Sequence, residues 1–254
     1  MVLELSHRKM SAVLFIFTFV IAYVTAYLPP YIHPCGYKDP NYNQCIKNNI
    51  DDSKDKICTG MPDLNILPIE PLNIKDLTII HTDNLKVNMR DVKIYGFCDL
   101  VVNSVYTDPD RRHFNFDLNF NHLYLNGTYD FDVRILMEIT HKGLSQITID
   151  NAGLKVELDF KTITKNGNKY IYASKLSMNI DIKDFTYKID ESRKELADFY
   201  KIITDIINTN KKDIVKQVKP SIEKEISENI ISILNNVFRR ISYEELFPEK
   251  TRIV

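Results

Sequence analysis

A two-residue alternation of apolar and polar side chains fills the middle of this 254-residue chain, from about residue 72 to residue 189. In "HFNFDLNF", residues 113–120, phenylalanine and leucine fall on one side of an extended chain, and asparagine and aspartate fall on the other. The stretches "YDFDVRILMEI", "LKVELDF" and "KLSMNIDI" repeat the pattern. Strict alternation gives each strand one apolar and one solvated face, which is typical of an antiparallel sheet. We therefore predict a long antiparallel sheet over residues 72–189.

Turn signals and phase slips in this region predict how the strands are joined and bent. The sequences "NGT", from Asn126, and "KNGN", from Lys165, contain the residues that hairpin turns favour, so we predict strand connections at both. The apolar phase slips after Phe120 and again after Ile182. Such slips indicate bulges or bends, which allow a long sheet to curl.

From Asp190 onward the apolar residues recur every three or four positions, which is the period of an amphipathic helix. The apolar stripe is rich in isoleucine, a mediocre helix former, so packing must stabilise this helix. We predict one very long helix over residues 190–242, or two parts that meet at a kink at Pro220. The steps of four favour a wide face buried on a sheet over the narrow seam of a coiled coil.

A curled sheet and one long helix can bury their apolar faces against each other if the sheet wraps around the helix. The predicted fold class is therefore α+β, a long curved antiparallel β-sheet wrapped around a long C-terminal α-helix. Space that the helix side chains leave unfilled would form an apolar tunnel suited to a hydrophobic ligand. The inward residues that we expect to contact such a ligand are Phe114, Phe116, Leu118, Phe131, Val133, Ile135, Val156 and Leu158 from the sheet, and Phe199, Ile203, Ile206 and Ile222 from the helix.

Residues 1–26 have the organisation of a secretory signal peptide. A short basic segment at His7, Arg8 and Lys9 precedes the apolar "SAVLFIFTFVIA", and small residues follow up to Ala26. The alternative is a membrane anchor, but this apolar core is shorter than the roughly 20 residues that a span needs. Cleavage after Ala26 would leave residues 27–254 as a single secreted domain without an integral membrane span, and we expect a monomer.

The mature chain would begin with a proline-rich segment that holds two of the four cysteines, in "LPPYIHPCGYKDPNYNQC". Outside the cell thiols oxidise, so we predict a disulfide between Cys35 and Cys45. A zinc site would need further ligands at suitable spacing, and only His33 lies close in sequence. Cys58 and Cys98 either pair or remain buried as small apolar residues, and the sequence leaves both alternatives open.

The predicted domain has four successive parts. Residues 27–71 are a disulfide-stapled cap with a short helix and a proline-rich connector, residues 72–189 form the sheet, residues 190–242 form the helix, and residues 243–254 form a tail. In the wrap, the stapled cap would lie over one end of the tunnel and could gate it.

Composition excludes several function classes. With 33 basic and 34 acidic side chains interspersed along the chain, there is no electrostatic reason to expect a nucleic acid or an anionic membrane surface as a partner. The chain has no nucleophile elbow, zinc-binding histidine pair, Cys-x-x-Cys motif or glycine-rich phosphate loop, and its six histidines are dispersed. We therefore predict neither an enzyme nor a cofactor or metal site. Asn126 begins an N-glycosylation sequon.

Four short motifs follow one another along the chain. They are "LPPYIHPC" with "DPNYNQC", then "KICTGMPDLNILPIEPL", then "NMRDVKIYGF", and finally "SYEELFPE" near the C-terminus. Together they resemble the leading two-cysteine motif, the proline connector, an early strand and the terminal motif of the takeout and juvenile-hormone-binding protein family of insect secreted proteins. The hormone carriers of that family have a second disulfide in their later half. This chain has no cysteine after Cys98, so it looks more like the takeout branch.

The resemblance implies a wrap fold similar to lipid-binding BPI-like domains, with an internal tunnel for a lipophilic molecule such as a juvenile-hormone-like terpenoid or a fatty-acid-like ligand. We therefore predict a secreted carrier that binds a hydrophobic small molecule. The alternative is an extracellular interaction or signalling protein with a filled core, which would act through protein partners or membranes. An open interior and a filled interior would distinguish the two.

Overall fold

The computed structural model describes residues 28–29, 31–134, 138–191 and 194–251, without the side chains of Val133, Glu138, Ile139 and Phe199. The predicted signal peptide and Ile135 lie outside the described residues. Within these ranges, no helix combines the length and the apolar character that crossing a bilayer requires.

The described residues form seven strands and three α-helices. The strands are β1 (Leu72–His81), β2 (Leu85–Tyr95), β3 (Leu100–Asp108), β4 (His113–Arg134), β5 (Glu138–Lys165), β6 (Asn168–Asp181) and β7 (Thr186–Ile189). The helices are α1 (Tyr42–Thr59), α2 (Ala197–Phe238) and α3 (Tyr243–Leu246), and short 3-10 turns occur at Pro62–Leu64, Phe97–Asp99 and Lys194–Leu196.

All strand pairings are antiparallel, and β4 and β5 form the spine of the sheet. These two strands pair with each other from His113–Asp159 to Arg134–Glu138. Because β4 and β5 are much longer than the other strands, each pairs with two different strands, one after the other, along its second edge. The β3–β6 half contains β3, β6 and the stretches of β4 and β5 between them, and the β2–β7 half contains β1, β2, β7 and the remaining stretches.

The sheet curls around α2, as the alternating pattern and the helical period predicted. Helix α2 lies against β6 and also against β1, which are the two ends of the strand order β1-β2-β4-β5-β6. Side chains of α2 also bond to the exposed edge of β6. The Glu223 carboxylate accepts from the Ile180 N–H at 2.7 Å, and the Asn235 amide both accepts from and donates to the backbone of Ala173. These bonds satisfy edge groups that would otherwise be open to another strand.

The predicted irregularity after Phe120 coincides with a change of face on both central strands. Phe114 and Phe120 are buried on the inner side before it, and Leu123 and Leu125 are buried after it, so the inward positions change from even to odd numbers. The same change occurs on β5 at Asn151, which has a positive φ of 56°. The slip after Ile182, by contrast, marks a strand end rather than a bulge, because β6 ends at Asp181 and β7 begins at Thr186.

One of the two predicted turns is wrong. The "KNGN" segment does connect β5 to β6, with positive φ at Asn166 and Gly167, as a tight hairpin requires. Asn126, however, lies inside β4, where it pairs with Lys93 on one side and Gln146 on the other. Pairing on both edges overrides the local turn preference of this segment.

Gly127 has a packing role instead of a turn role. A Cβ there would meet the Arg90 carbonyl oxygen at 3.0 Å, next to an irregularity in the β2–β4 register between Arg90 and Lys93. Glycosylation of Asn126 stays a prediction, now for a half-buried residue in mid-strand rather than at a hairpin tip.

Helix α2 begins at Ala197, seven positions after the predicted start. It does contain a kink, but at a different residue from the one predicted. The non-helical backbone angles are at Asn210, with φ −117° and ψ 17°, whereas Pro220 lies within the helix. The Asn210 side-chain amide donates to the Ile206 carbonyl at 2.7 Å, which offers that carbonyl a partner other than the backbone.

The N-terminal segment and the C-terminal tail cover the β3–β6 end of the wrap. Cys35 and Cys45 form the predicted disulfide, and Cys58 and Cys98 form a second one that joins the end of α1 to the turn before β3. The tail runs beside the first disulfide, where Tyr37 N–H donates to the Pro248 carbonyl at 3.0 Å. This bond ties the described part of the tail to the N-terminal segment at the same end of the fold.

Candidate functional site

An apolar cavity lies between α2 and the inner face of the β2–β7 half of the sheet. The cavity has a volume of about 110 Å³, counted as the space open to the centre of a water molecule. Its wall consists of twenty-three residues, namely Leu77, Ile79, Ile80, Leu85, Val87, Met89, Leu125, Tyr129, Phe131, Ser145, Ile147, Ile149, Ile182, Phe185, Tyr187, Ile189, Ile203, Ile206, Ile207, Ile214, Val215, Val218 and Ile222.

The sequence builds this wall from two periodicities. Inward positions of the strands recur every second residue, as at Ile147 and Ile149, and those of the helix recur at Ile203, Ile206 and Ile207. Eleven of the twenty-three residues are isoleucine. Among the residues that the structure describes, none that lines the cavity is charged. The cavity can therefore bind a ligand mainly through burial of apolar surface.

Among the described residues, three polar side chains line the cavity, and two of them have partners elsewhere in the protein. The Tyr129 hydroxyl lies 3.1 Å from His141 Nδ1 and donates to the Asp190 carbonyl at 3.3 Å. The Tyr187 hydroxyl donates to the Thr204 carbonyl at 3.1 Å. The third is Ser145, which is buried on β5.

A buried polar cluster, formed by Tyr129, His141 and Tyr200, lies beside the cavity, and Tyr129 also lines it. The Tyr200 hydroxyl of α2 lies 3.4 Å from His141 Nε2, so the imidazole lies between two phenols from opposite layers of the wrap. Burial raises the pKa of Tyr129 well above its ordinary value. The phenol therefore stays protonated and serves as a neutral hydrogen-bond donor. The cluster joins β4, β5 and α2 by hydrogen bonds inside an otherwise apolar region.

Residues 182–189, here termed the strap, form one side wall of the cavity. Ile182, Phe185, Tyr187 and Ile189 face the cavity, and β7 pairs with β5 only over four positions. Lys211 of α2 holds the strap from outside. Its ammonium group contacts the Asp184 carboxylate at 2.9 Å and donates to the Phe185 carbonyl at 2.7 Å, one residue after the irregular Asn210.

The structure brings only some of the predicted ligand contacts to this cavity. Phe131, Ile203, Ile206 and Ile222 line it. Five others lie in the β3–β6 half or at its border, packed in the core, namely Phe114, Phe116, Leu118, Val156 and Leu158. Ile135 and the side chains of Val133 and Phe199 lie outside the described part of the chain.

Aromatic side chains fill the β3–β6 half of the wrap. Phe114 contacts Phe160 edge to face with ring centroids 5.2 Å apart, and Phe160 contacts Phe238 of α2 at 5.3 Å. Phe247 from the C-terminal tail packs on Phe114 as well. Among the described residues, the cavity therefore lies in the β2–β7 half of the wrap, and aromatic side chains pack the β3–β6 half.

The stapled N-terminal segment lies at this filled half. No described residue between 28 and 71 lines the cavity. The segment borders a separate, more open groove that is lined by Cys35, Ile46, Ile50 and Phe247. The cap thus covers the filled end of the wrap, and the expectation that it gates the cavity is not met in this arrangement.

Sequence reasoning missed Tyr129 and Ser145 as site residues. Tyr129 stands in the same alternation as Phe131, and this signal could have identified it. Ser145 interrupts an apolar series, so periodicity alone gives no reason to place it on the inner face.

The Glu70 side chain lies beside the second disulfide, in the one group of possible metal ligands found among the described residues. Its carboxylate accepts from the backbone N–H groups of Gly96 and Cys98, at 3.0 and 3.2 Å. Because Cys58 and Cys98 are joined to each other, these atoms already have protein partners and serve the fold.

Comparison with known proteins identifies the family. Residues 13–248 match the model of the family described as "Haemolymph juvenile hormone binding protein (JHBP)". The chain belongs to this family. A curated protein of Schistocerca gregaria, named "Putative beta-carotene-binding protein", is 22% identical over 223 residues, which are 84% of this chain and 86% of that protein.

Two solved structures are similar in fold to different degrees. The crystal structure of Epiphyas postvittana Takeout 1 aligns over 85% of this chain and 100% of that one, with a TM-score of 0.70 at 17% identity. It confirms the predicted wrap of a curled antiparallel sheet with a long C-terminal helix. A lipopolysaccharide binding protein aligns over 78% of this chain and 41% of that one, with 12% identity and a TM-score of 0.36, which is too low for a comparison of architecture.

Proposed function

We propose that this protein is a secreted carrier that binds a lipophilic small molecule in the cavity between α2 and the β2–β7 half of the sheet. The observation that carries the proposal is the cavity itself, whose described wall is almost entirely aliphatic and aromatic and has no charged member. A carrier of this kind protects and transports its ligand without chemical change. Membership of a family of binding proteins supports this proposal.

The apolar wall also supports a useful affinity. Burying a few hundred Å² of apolar ligand surface contributes several kcal/mol, at about 25 cal/mol per Å². After the entropy losses of association, such a contribution is compatible with micromolar or tighter binding. A juvenile-hormone-like terpenoid, a fatty-acid-like ligand and a carotenoid such as the one in the name of the locust relative all have the required apolar surface.

Two observations support secretion. Residues 1–26 have the pattern of a cleavable signal, and all cysteines of the chain are paired in disulfides, as an oxidising compartment favours. The strand and helix faces toward solvent mix acidic and basic residues, which suits a soluble carrier.

The proposal is tested on the mature protein secreted from an insect cell line. Extraction followed by mass spectrometry should find apolar molecules that co-purify, and a neutral fluorescent lipid probe should be taken up and displaced. Ile206→Trp, inside the cavity, should reduce uptake at least tenfold. The control Leu144→Trp, at a residue that is 66% exposed, should leave uptake unchanged.

If nothing apolar co-purifies and no probe is taken up, the protein is not a carrier, and the interaction-protein alternative gains. If Ile206→Trp and Leu144→Trp bind the probe equally well, the protein binds lipids at a site other than this cavity.

A further inference from the structure

Ser145 differs from the rest of the cavity wall because it is polar, deeply buried and without a partner. Its relative exposure is 6%, and its side chain lines the cavity. Among the described residues, none forms a hydrogen bond with its hydroxyl, and the fully enclosed side-chain atoms without a partner are Arg112 Nε and Asp132 Oδ1, so the Ser145 oxygen keeps some access to the cavity. Buried polar groups in proteins almost always have a partner, and a hydroxyl that lacks one loses the hydrogen bonds it made to water. An unpartnered hydroxyl facing a ligand cavity therefore indicates a partner in the ligand.

The neighbours of Ser145 on the inner face of the sheet are a glycine and an aliphatic residue. Its cross-strand neighbour on β4 is Gly127, which has no side chain, and its neighbour on β7 is Ile189. Gly143, two residues away on the same face of β5, is covered by the Tyr129 ring. Ser145 therefore has no side chain opposite it on β4. It lies between Ile189 on β7 and the side of β4 and β5 where the buried polar cluster is found.

The other polar residues of the wall do not compete for this role. The hydroxyl of Tyr129 is engaged with His141 and Asp190, and that of Tyr187 with Thr204 of α2. Both phenols therefore donate their single proton within the protein. Among the described polar residues of the wall, Ser145 is the one that can donate to a ligand oxygen without breaking an existing bond.

We propose that Ser145 anchors an uncharged oxygen of the ligand and so selects long apolar molecules with a hydroxyl or carbonyl group. A serine hydroxyl can donate to a carbonyl and can accept from an alcohol. A carboxylate is disfavoured, because a buried anion needs a compensating cation and the described wall provides none. This inference rests on the proposed carrier function and narrows its ligand class to neutral alcohols, aldehydes, ketones and esters.

The test compares ligands of one chain length by displacement of a fluorescent probe: tetradecane, tetradecanol, methyl myristate and myristate. The alcohol and the ester should bind about three- to tenfold more tightly than the alkane, which corresponds to one neutral hydrogen bond. At a pH where myristate is ionised, it should bind more weakly than its methyl ester. Ser145→Ala should abolish the advantage of the alcohol and the ester and leave the alkane within about twofold.

Two further variants control the experiment. Ser145→Thr keeps the hydroxyl and should retain the preference for the alcohol and the ester. Ser104→Ala removes a serine hydroxyl from an exposed position on β3 and should bind every probe as the parent does. Thermal unfolding of each variant establishes that it is folded.

The outcomes separate this inference from the proposed function. If Ser145→Ala keeps the preference for the alcohol and the ester, or if the parent binds myristate more tightly than methyl myristate, the anchor is refuted while the carrier function stands. If the parent takes up none of the probes, the carrier function fails as well.

Discussion

Replacement of Gly143 by alanine should destabilise the fold specifically through Tyr129. An added Cβ would lie 2.5 Å from the Tyr129 hydroxyl oxygen and 2.7 and 2.9 Å from two of its ring carbons, all shorter than real Cβ contacts. The ring must therefore move by roughly 0.5–1 Å, and its bonds to His141 and Asp190, at 3.1 and 3.3 Å, would lengthen or break.

The magnitude follows from two costs. Overpacking a buried site costs about 1–3 kcal/mol, and weakening the tyrosine hydrogen bonds adds about 1 kcal/mol. We expect the free energy of unfolding to fall by about 2–4 kcal/mol, measured by denaturant unfolding of the oxidised protein.

The matched control is Gly153→Ala on the same strand. There the nearest atom to an added Cβ is the Asp181 Cβ at 3.6 Å, an ordinary contact. Alanine in a strand avoids the backbone entropy cost of glycine, so stability should stay level or rise by about 0.5–1 kcal/mol. In a Tyr129→Leu background, Gly143→Ala should cost little. If Gly143→Ala and Gly153→Ala differ by less than about 0.5 kcal/mol, the packing of Tyr129 over Gly143 is not as described.

Three further predictions concern the strap, the first disulfide and the tail. Lys211→Met should speed ligand dissociation several-fold in stopped-flow measurements, because it releases the strap. The control Lys183→Met loses only an exposed ion pair with Asp181 and should leave the dissociation rate unchanged. Equal rates for the two variants would contradict a restraining role of Lys211. Cys35→Ser should lower the free energy of unfolding by about 3 kcal/mol, as expected for a disulfide that closes a ten-residue loop. The ligand Kd should stay within about twofold of the parent value. A large change in Kd would instead support the hypothesis that the cap gates the cavity. Side-chain and backbone hydrogen bonds from Thr251 lower the pKa of the Asp39 carboxyl, so this contact stabilises the tail above the ordinary carboxyl range and is lost as pH falls through the lowered pKa. Amide exchange in the tail should therefore accelerate between about pH 5 and about pH 2 in the parent, beyond the intrinsic pH effect, and not in Asp39→Asn.

Local patterns predicted the parts of the fold that depend on which side of an element is buried. The alternation through Phe114 and Phe120 predicted strands with one apolar face, and the change of period after Asp190 predicted the long helix. The buried face recurs at a different period in a strand and in a helix. The sequence therefore distinguishes the two elements without information about what packs against them. The secretory context likewise predicted the Cys35–Cys45 bridge.

Other features depend on contacts between distant segments, and local patterns could not supply them. Asn126 has the residues of a turn, yet it lies in mid-strand because β2 and β5 pair on both sides of it. The kink of α2 lies at Asn210, whose side-chain amide donates to the Ile206 carbonyl, and not at Pro220, where the sequence predicted it.

The location of the cavity is the clearest case. Inward positions are equally apolar in both halves of the sheet, so alternation marks Phe114 and Phe131 alike as interior residues. In the β3–β6 half, Phe238 of α2 and Phe247 of the tail occupy the interior, while the isoleucines opposite Phe131 leave space. The sequence by itself determined which faces are buried and that a sheet must enclose a helix. Only the tertiary structure decided which half is filled and that Ser145 faces the space left open, because both depend on side chains brought together from remote parts of the chain.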